Sequence, residues 1–303
     1  DDSPDNTAYL SRLYYTMDRK MLRAKAEFQG PIAGKKFRWM AGAEMSSIQM
    51  STVDVAKLNK DKDPEDILKD TSLYENYVAW GLIPQDQADG GTATLLKLGA
   101  IYDTRDNEPN PMKGIWTELQ LLWAPSFFGN GDLSYSRLVF THRQYFTLVP
   151  KIFSFAYRLS YQGKLTGTMP FYMLPFAYNT APDYTRDGFG GSKTIRGVLR
   201  NRVVGDGIAF GNAEFRWKFY RGVVWKQNVY LALSTFLDAG MVVQQYELAG
   251  DVPAEAATYF PDASEGLHMG YGGGLHIAIN ENFVIAADVA KAVKKEDSHK
   301  LGI

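Results

Sequence analysis

The sequence predicts an all-β fold: a transmembrane antiparallel β-barrel of the outer-membrane kind with a long loop inserted into its lumen. Three observations lead there. Apolar and polar residues alternate with period two over most of the chain. The alternating segments run about 10 to 14 residues, enough to cross hydrocarbon at a tilt. The connections between them are short and long by turns, as in outer-membrane barrels.

The alternation is legible segment by segment. In "MLRAKAEFQG", Leu22, Ala24, Ala26 and Phe28 oppose Arg23, Lys25, Glu27 and Gln29. In "KFRWMAGAEMS", Phe37, Trp39, Ala41, Ala43 and Met45 oppose Arg38, Glu44 and Ser46. Residues 94–104 and 115–123 read similarly but less purely, and 135–148 is mixed. "IFSFAYRLSYQG" sets Phe153, Phe155, Tyr157, Leu159 and Tyr161 on its apolar face. From Asn212 the phase does not slip: Asn212, Glu214, Arg216 and Lys218 alternate with Ala213, Phe215, Trp217 and Phe219. "NVYLALSTFLDAG" sets Val229, Leu231, Leu233 and Leu237 against Ser234 and Asp238. The last two segments show Tyr271, Leu275 and Ile277, then Phe283, Ile285, Ala287 and Val289, as apolar sides. This makes ten strands, with an eleventh beginning at Lys300.

"GPIAGKK", "DNEPNPMKG", "LVPK", "YRGVVWKQ" and "NEN" read as short turns, whereas 51–93, 166–207 and 244–266 are long and rich in Asp, Gly, Pro and Ser. "DVAKLNKDKDPEDILKD" predicts a short helix inside a long loop, its charges a solvated face. A soluble sandwich or lipocalin-like barrel also alternates, but manages with strands of about five or six residues. Trp116, Trp123, Tyr220, Trp225 and Tyr230 near strand ends are expected to form interfacial girdles.

A formal charge of −1 argues against nucleic acid as a partner. With no cysteine, disulfides, thiolate metal sites and a Cys nucleophile are excluded. No apolar run is long enough for a spanning helix. "DDSPDNTAYL" lacks a basic and apolar leader, and both ends read as those of a fragment, so residues 1–303 are expected to be one transmembrane barrel domain, incomplete at its ends. No cofactor or metal site is expected: the carboxylates lack His or further acids at ligand spacing. His142, His268, His276 and His299 are scattered without triad spacing, so no catalytic residues and no enzyme are expected. "GYGGG", Gly270 to Gly274, lacks the helix and Lys-Ser of a phosphate loop; its glycines suit curvature or close approach of a loop.

The connection "GFGGSKTIRGVLRNRVVGDG" concentrates Lys193, Arg196, Arg200 and Arg202. If the polar strand faces line a lumen, Glu214 and Asp238 point into it from consecutive strands. Two inward carboxylates repel and invite a cation, and a guanidinium's planar fork suits paired acceptors. Gly197 beside Arg196 permits a tight turn.

"TIRGVLRNR", "GNAEFRW", "FLDAG" and "LGAIYDTRDNEPNPMKGIWTELQLLWAP" together resemble the bacterial surface-antigen family, the BamA-TamA-type outer-membrane assembly barrels, from about residue 19 to the end. The resemblance implies that Arg196 is the family's loop arginine, flanked by Ile195 and Gly197, with Glu214 and Asp238 as its acceptors. Val198 departs from it, standing where an aromatic is usual. It implies about sixteen strands, about five of them upstream of residue 19, or a smaller variant of about twelve. It places the chain in the bacterial outer membrane, among its lipids, inserting, assembling or translocating client outer-membrane proteins with accessory lipoproteins, and without the POTRA modules that receive clients in the family. Two other readings stay open: a passive pore or structural barrel, and the membrane anchor of a larger patatin-like enzyme.

Overall fold

A computed structural model describes residues 17–297 except 53, 62, 65–66, 68–71, 179–187, 202, 255–265 and 281–282. Ten strands form a single sheet in chain order, each antiparallel to the next. They are β1 (Met17–Ala33), β2 (Phe37–Thr52), β3 (Gly90–Asp103), β4 (Gly114–Ala124), β5 (Tyr135–Val149), β6 (Phe153–Gly167), β7 (Gly207–Val224), β8 (Gln227–Gln244), β9 (His268–Ile279) and β10 (Phe283–Ala292). Every strand expected within the described residues is present; the eleventh, at Lys300, and Arg202 in the loop lie outside them.

Several strands outrun the segments read from the sequence. β7 and β8 each span 18 residues, because their ladder continues through a register shift between Lys218 and Tyr220 that breaks the period-two pattern. The expected turn at 221–226 thus shrinks to Trp225 and Lys226, both at positive φ (47° and 63°), the backbone of a primed two-residue hairpin turn.

Strand phase sorts the two faces. Leu22, Phe28, Leu98, Phe215, Trp217, Leu233 and Ile285 project outward and are exposed. On the other face Glu44, Lys97, Glu118, Gln120, Lys218 and Asp238 are buried. Charges inside and oily side chains outside invert a soluble barrel and fit strands bathed in lipid. No helix among the described residues is long and apolar enough to cross a membrane.

Two of the aromatics expected in the girdles face the other way. Trp116 shares its phase with Glu118 and Gln120, and Arg38 and Arg105 lie over its ring. Tyr230 shares its phase with Asp238 and carries Lys218 and Arg221 over its ring. Both are lumen residues whose π-faces balance inward cations. Trp123, Tyr220 and Trp225 do lie exposed on the outside.

The long connections fill the lumen at their end. Ile48, Met50, Leu95, Leu122 and Val139 from the walls pack with Tyr74 and Ile83 of the β2–β3 connection and Met169 to Tyr178 of the β6–β7 connection. The predicted short helix is α1 (Val55–Asn59), N-capped by Asp54. A second helix, α2 (Leu73–Ala79), was not expected. Its start is a reciprocal capping box, in which Ser72 accepts from the Glu75 amide and the Glu75 side chain accepts from the Ser72 amide.

Candidate functional site: an arginine clasped in the lumen

The connection between β6 and β7 turns back into the barrel on an apolar footing. Phe189, Ile195 and Val198 of the connection pack with Ile208 and Phe210 of β7, Val242 of β8 and Ala292 of β10. Ile195 is fully buried, and Val198, at the place usually held by an aromatic, fills part of the same cluster. Burying these apolar side chains favours the seated loop.

Two glycines let the loop come close. Gly197 has φ +90°, and a Cβ there would sit 2.6 Å from the carbonyl carbon of Lys291 in β10. Gly270, the first glycine of "GYGGG", lies so near the Arg196 carbonyl oxygen that any side chain at 270 would collide with it. The backbone of the loop thus lies directly on β9 and β10.

Arg196 then reaches three strands. Its Nε and Nη2 donate to the two carboxylate oxygens of Asp238 at 2.8 and 3.0 Å, a parallel fork. Its backbone N–H donates to the same carboxylate at 3.0 Å. Its Nη1 donates to Glu214 at 2.9 Å and to Asp288 at 3.0 Å. The guanidinium carbon stands 3.4 Å from the centroid of the Phe236 ring. Asp238 has no exposed surface, while the Arg196 side chain is 13% exposed. Burial alone would pull the arginine's pKa down, but the hydrogen bonds and charge of Asp238, then Glu214, hold it above its ordinary value.

The acids have further partners. Glu214 also accepts from Arg216 Nε at 2.7 Å, and Asp288 lies 3.3 Å from His276 Nε2, which is itself 3.3 Å from Ser234. Asn212 ties the loop once more, donating to the Thr194 carbonyl at 2.7 Å. With their oxygens occupied by guanidinium donors, these carboxylates are arranged as a clamp.

All five residues singled out from the sequence, Ile195, Arg196, Gly197, Glu214 and Asp238, meet at this point. Of the other loop cations, Lys193 and Arg200 are exposed. The described histidines are dispersed: His142 lies 2.8 Å from Thr117, and His268 lies 2.9 Å from Asp297. His299 lies outside the described residues. Sequence reasoning missed Asp288 and Phe236. Asp288 had a signal, being the one acid of β10 and in phase with its inward residues Ala290 and Ala292. Phe236 had none, because an aromatic among inward polar residues shows no partner until the loop is in place.

A search of curated proteins finds no match. Among solved structures the fold is similar to the crystal structure of BamA from Haemophilus ducreyi lacking POTRA domains 1-3, with a TM-score of 0.57 at 16% sequence identity. That likeness covers 93% of this chain and 53% of the other, so the chain spans about half the length of its neighbour. The profile of the Omp85 superfamily domain matches residues 8–301. With inverted faces, ten meandering strands and a match along nearly its whole length, the chain is an outer-membrane β-barrel and belongs to the Omp85 superfamily.

Proposed function

We propose that this chain is the membrane domain of a machine that inserts, assembles or translocates outer-membrane proteins, and that the Arg196 loop is a brace locked into its lumen. The observation that carries the reading is the reach of one guanidinium to Asp238 of β8, Glu214 of β7 and Asp288 of β10. Such a clamp makes β7 to β10 one stiff wall beside the seam where the barrel's first and last strands meet. An edge strand presents unpaired N–H and C=O groups, and a client strand can add to it by backbone hydrogen bonding. Stiffness beside the edge keeps that template in register. No covalent bond is made or broken in this scheme, and the binding partners are lipids, client strands and accessory lipoproteins.

A passive pore would also have a polar lumen. The apolar mass at the long-loop end, from Met169 to Tyr178 against β2 to β5, favours the assembly reading over an open channel.

The test is depletion of the protein in cells followed by a census of outer-membrane porins. Porin levels should fall and be restored by the wild-type gene, but only in part by Arg196→Ala. Unchanged porins after depletion would refute the assembly role.

A further inference from the structure

Between the seated loop and the walls formed by β5, β6 and β7 lies a cavity of about 450 Å³. Arg143, Arg158, Lys193, Arg196 and Arg216 line it, and Glu214 is the only acid among its described lining residues. Glu214 is already held by Arg196 and Arg216.

Among the described residues, Arg143, Arg158 and Lys193 form no ion pair with a carboxylate. Arg143 and Arg158 stand opposite each other in the β5–β6 ladder, on the lumen face. Like charges directly across a ladder destabilise it. Arg158 donates to neutral acceptors only, the Asn212 side-chain oxygen at 2.7 Å and the Lys193 carbonyl at 2.6 Å. The Nε of Arg143 is shut off from solvent and has no partner among the described residues. A protein that keeps two facing guanidiniums beside an open volume has built half of an ionic contact.

The missing half must carry negative charge and several acceptors at once. A tetrahedral oxyanion meets both needs, since its oxygens bridge separate guanidinium forks. Thr141 and Ser160 also line the cavity, their hydroxyls hydrogen-bonded to each other at 3.0 Å. The cavity is roofed by Ala177, Tyr178 and Lys193 of the long connection, and its walls run through Tyr145 and Arg216 toward the short turns.

We propose that this cavity is a phosphate-type oxyanion site whose principal ligands are Arg143 and Arg158. It is separate from the assembly reading: the oxyanion is bound whether or not the protein inserts clients. Either free phosphate or the phosphate of a lipid headgroup supplies the chemistry.

The full-length protein, purified in a neutral detergent, is titrated with inorganic phosphate, and separately with a short-chain phosphatidic acid, at matched ionic strength in chloride. Saturable binding and an upward shift of the thermal unfolding midpoint are expected for at least one probe. Binding to both assigns free phosphate, and binding to the lipid alone assigns the headgroup. Arg143→Gln and Arg158→Gln should each weaken binding by about tenfold or more, as loss of a charge-assisted contact requires. Arg200→Gln, outside the cavity lining, should leave it unchanged. Without ligand, Arg143→Gln should raise the unfolding midpoint, because the facing charges no longer repel; this readout survives even if one variant folds poorly. No saturable binding of either probe, or binding that persists in both Gln variants, overturns the proposal.

Discussion

At the scale of single residues the account turns on shape as well as charge. Arg196 satisfies Asp238 with a parallel fork and still has Nη1 free for Glu214 and Asp288. A Lys ammonium offers one point charge and cannot span these acceptors. Arg196→Ala leaves Asp238 fully buried among other acids without its cation, which should cost on the order of 3–5 kcal/mol. Arg196→Lys should recover only part of that loss, as measured by urea unfolding of the barrel in lipid vesicles. Gly270→Ala tests the contact beneath the loop: the new methyl group collides with the Arg196 carbonyl, so the loop should lift and limited proteolysis within 186–202 should quicken. An unchanged digestion pattern would show that the loop does not rest on β9. Glu214 and Asp238 were legible in the sequence because strand phase fixes which residues face inward; the loop's charge stands out too, but Arg196 is singled out among its cations by the family resemblance. Asp288 was passed over only because the outward residues of its segment were read and its inward ones were not.

The elements were legible to different degrees, for physical reasons. Alternation finds a strand only while its phase holds, so β7 and β8 extend beyond what the pattern marks, through the bulge between Lys218 and Tyr220 and down to a turn of two residues. The helix α2 was missed although "SLYE", residues 72–75, spells its capping box, because the charge run before it drew the reading toward α1. Ser72→Ala should remove one of the two reciprocal cap bonds and cost about 1 kcal/mol locally. The amides of residues 75 and 76 should then exchange hydrogen faster, while strand amides do not change. Equal protection in both proteins would mean that the apolar packing of Leu73 and Tyr74, rather than the cap, holds this helix in place.

For the whole molecule, the inverted faces decide the fold class, and these were the most legible feature because they repeat in every strand. Individual exceptions were not: Trp116 and Tyr230 look like girdle residues by position, and only their phase with Glu118 and Asp238 places them in the lumen. If the outer face meets acyl chains, Leu98→Arg near the middle of β3 should destabilise the folded barrel in vesicles by about 2–4 kcal/mol, whereas a charge on a lumen position of the same strand is tolerated. A soluble barrel would show the reverse. The clamp is the second whole-molecule claim, since it couples a loop to three strands across the lumen and is proposed to stiffen the wall from β7 to β10.

The most direct test of that clamp is a double-mutant cycle between Arg196 and Asp238, using Arg196→Ala, Asp238→Ala and both together, read by urea unfolding in vesicles. The account predicts strong non-additivity, with a coupling energy above about 1 kcal/mol in favour of the pair. Additive losses, with no coupling, would contradict it and leave the arginine a passenger on an apolar loop.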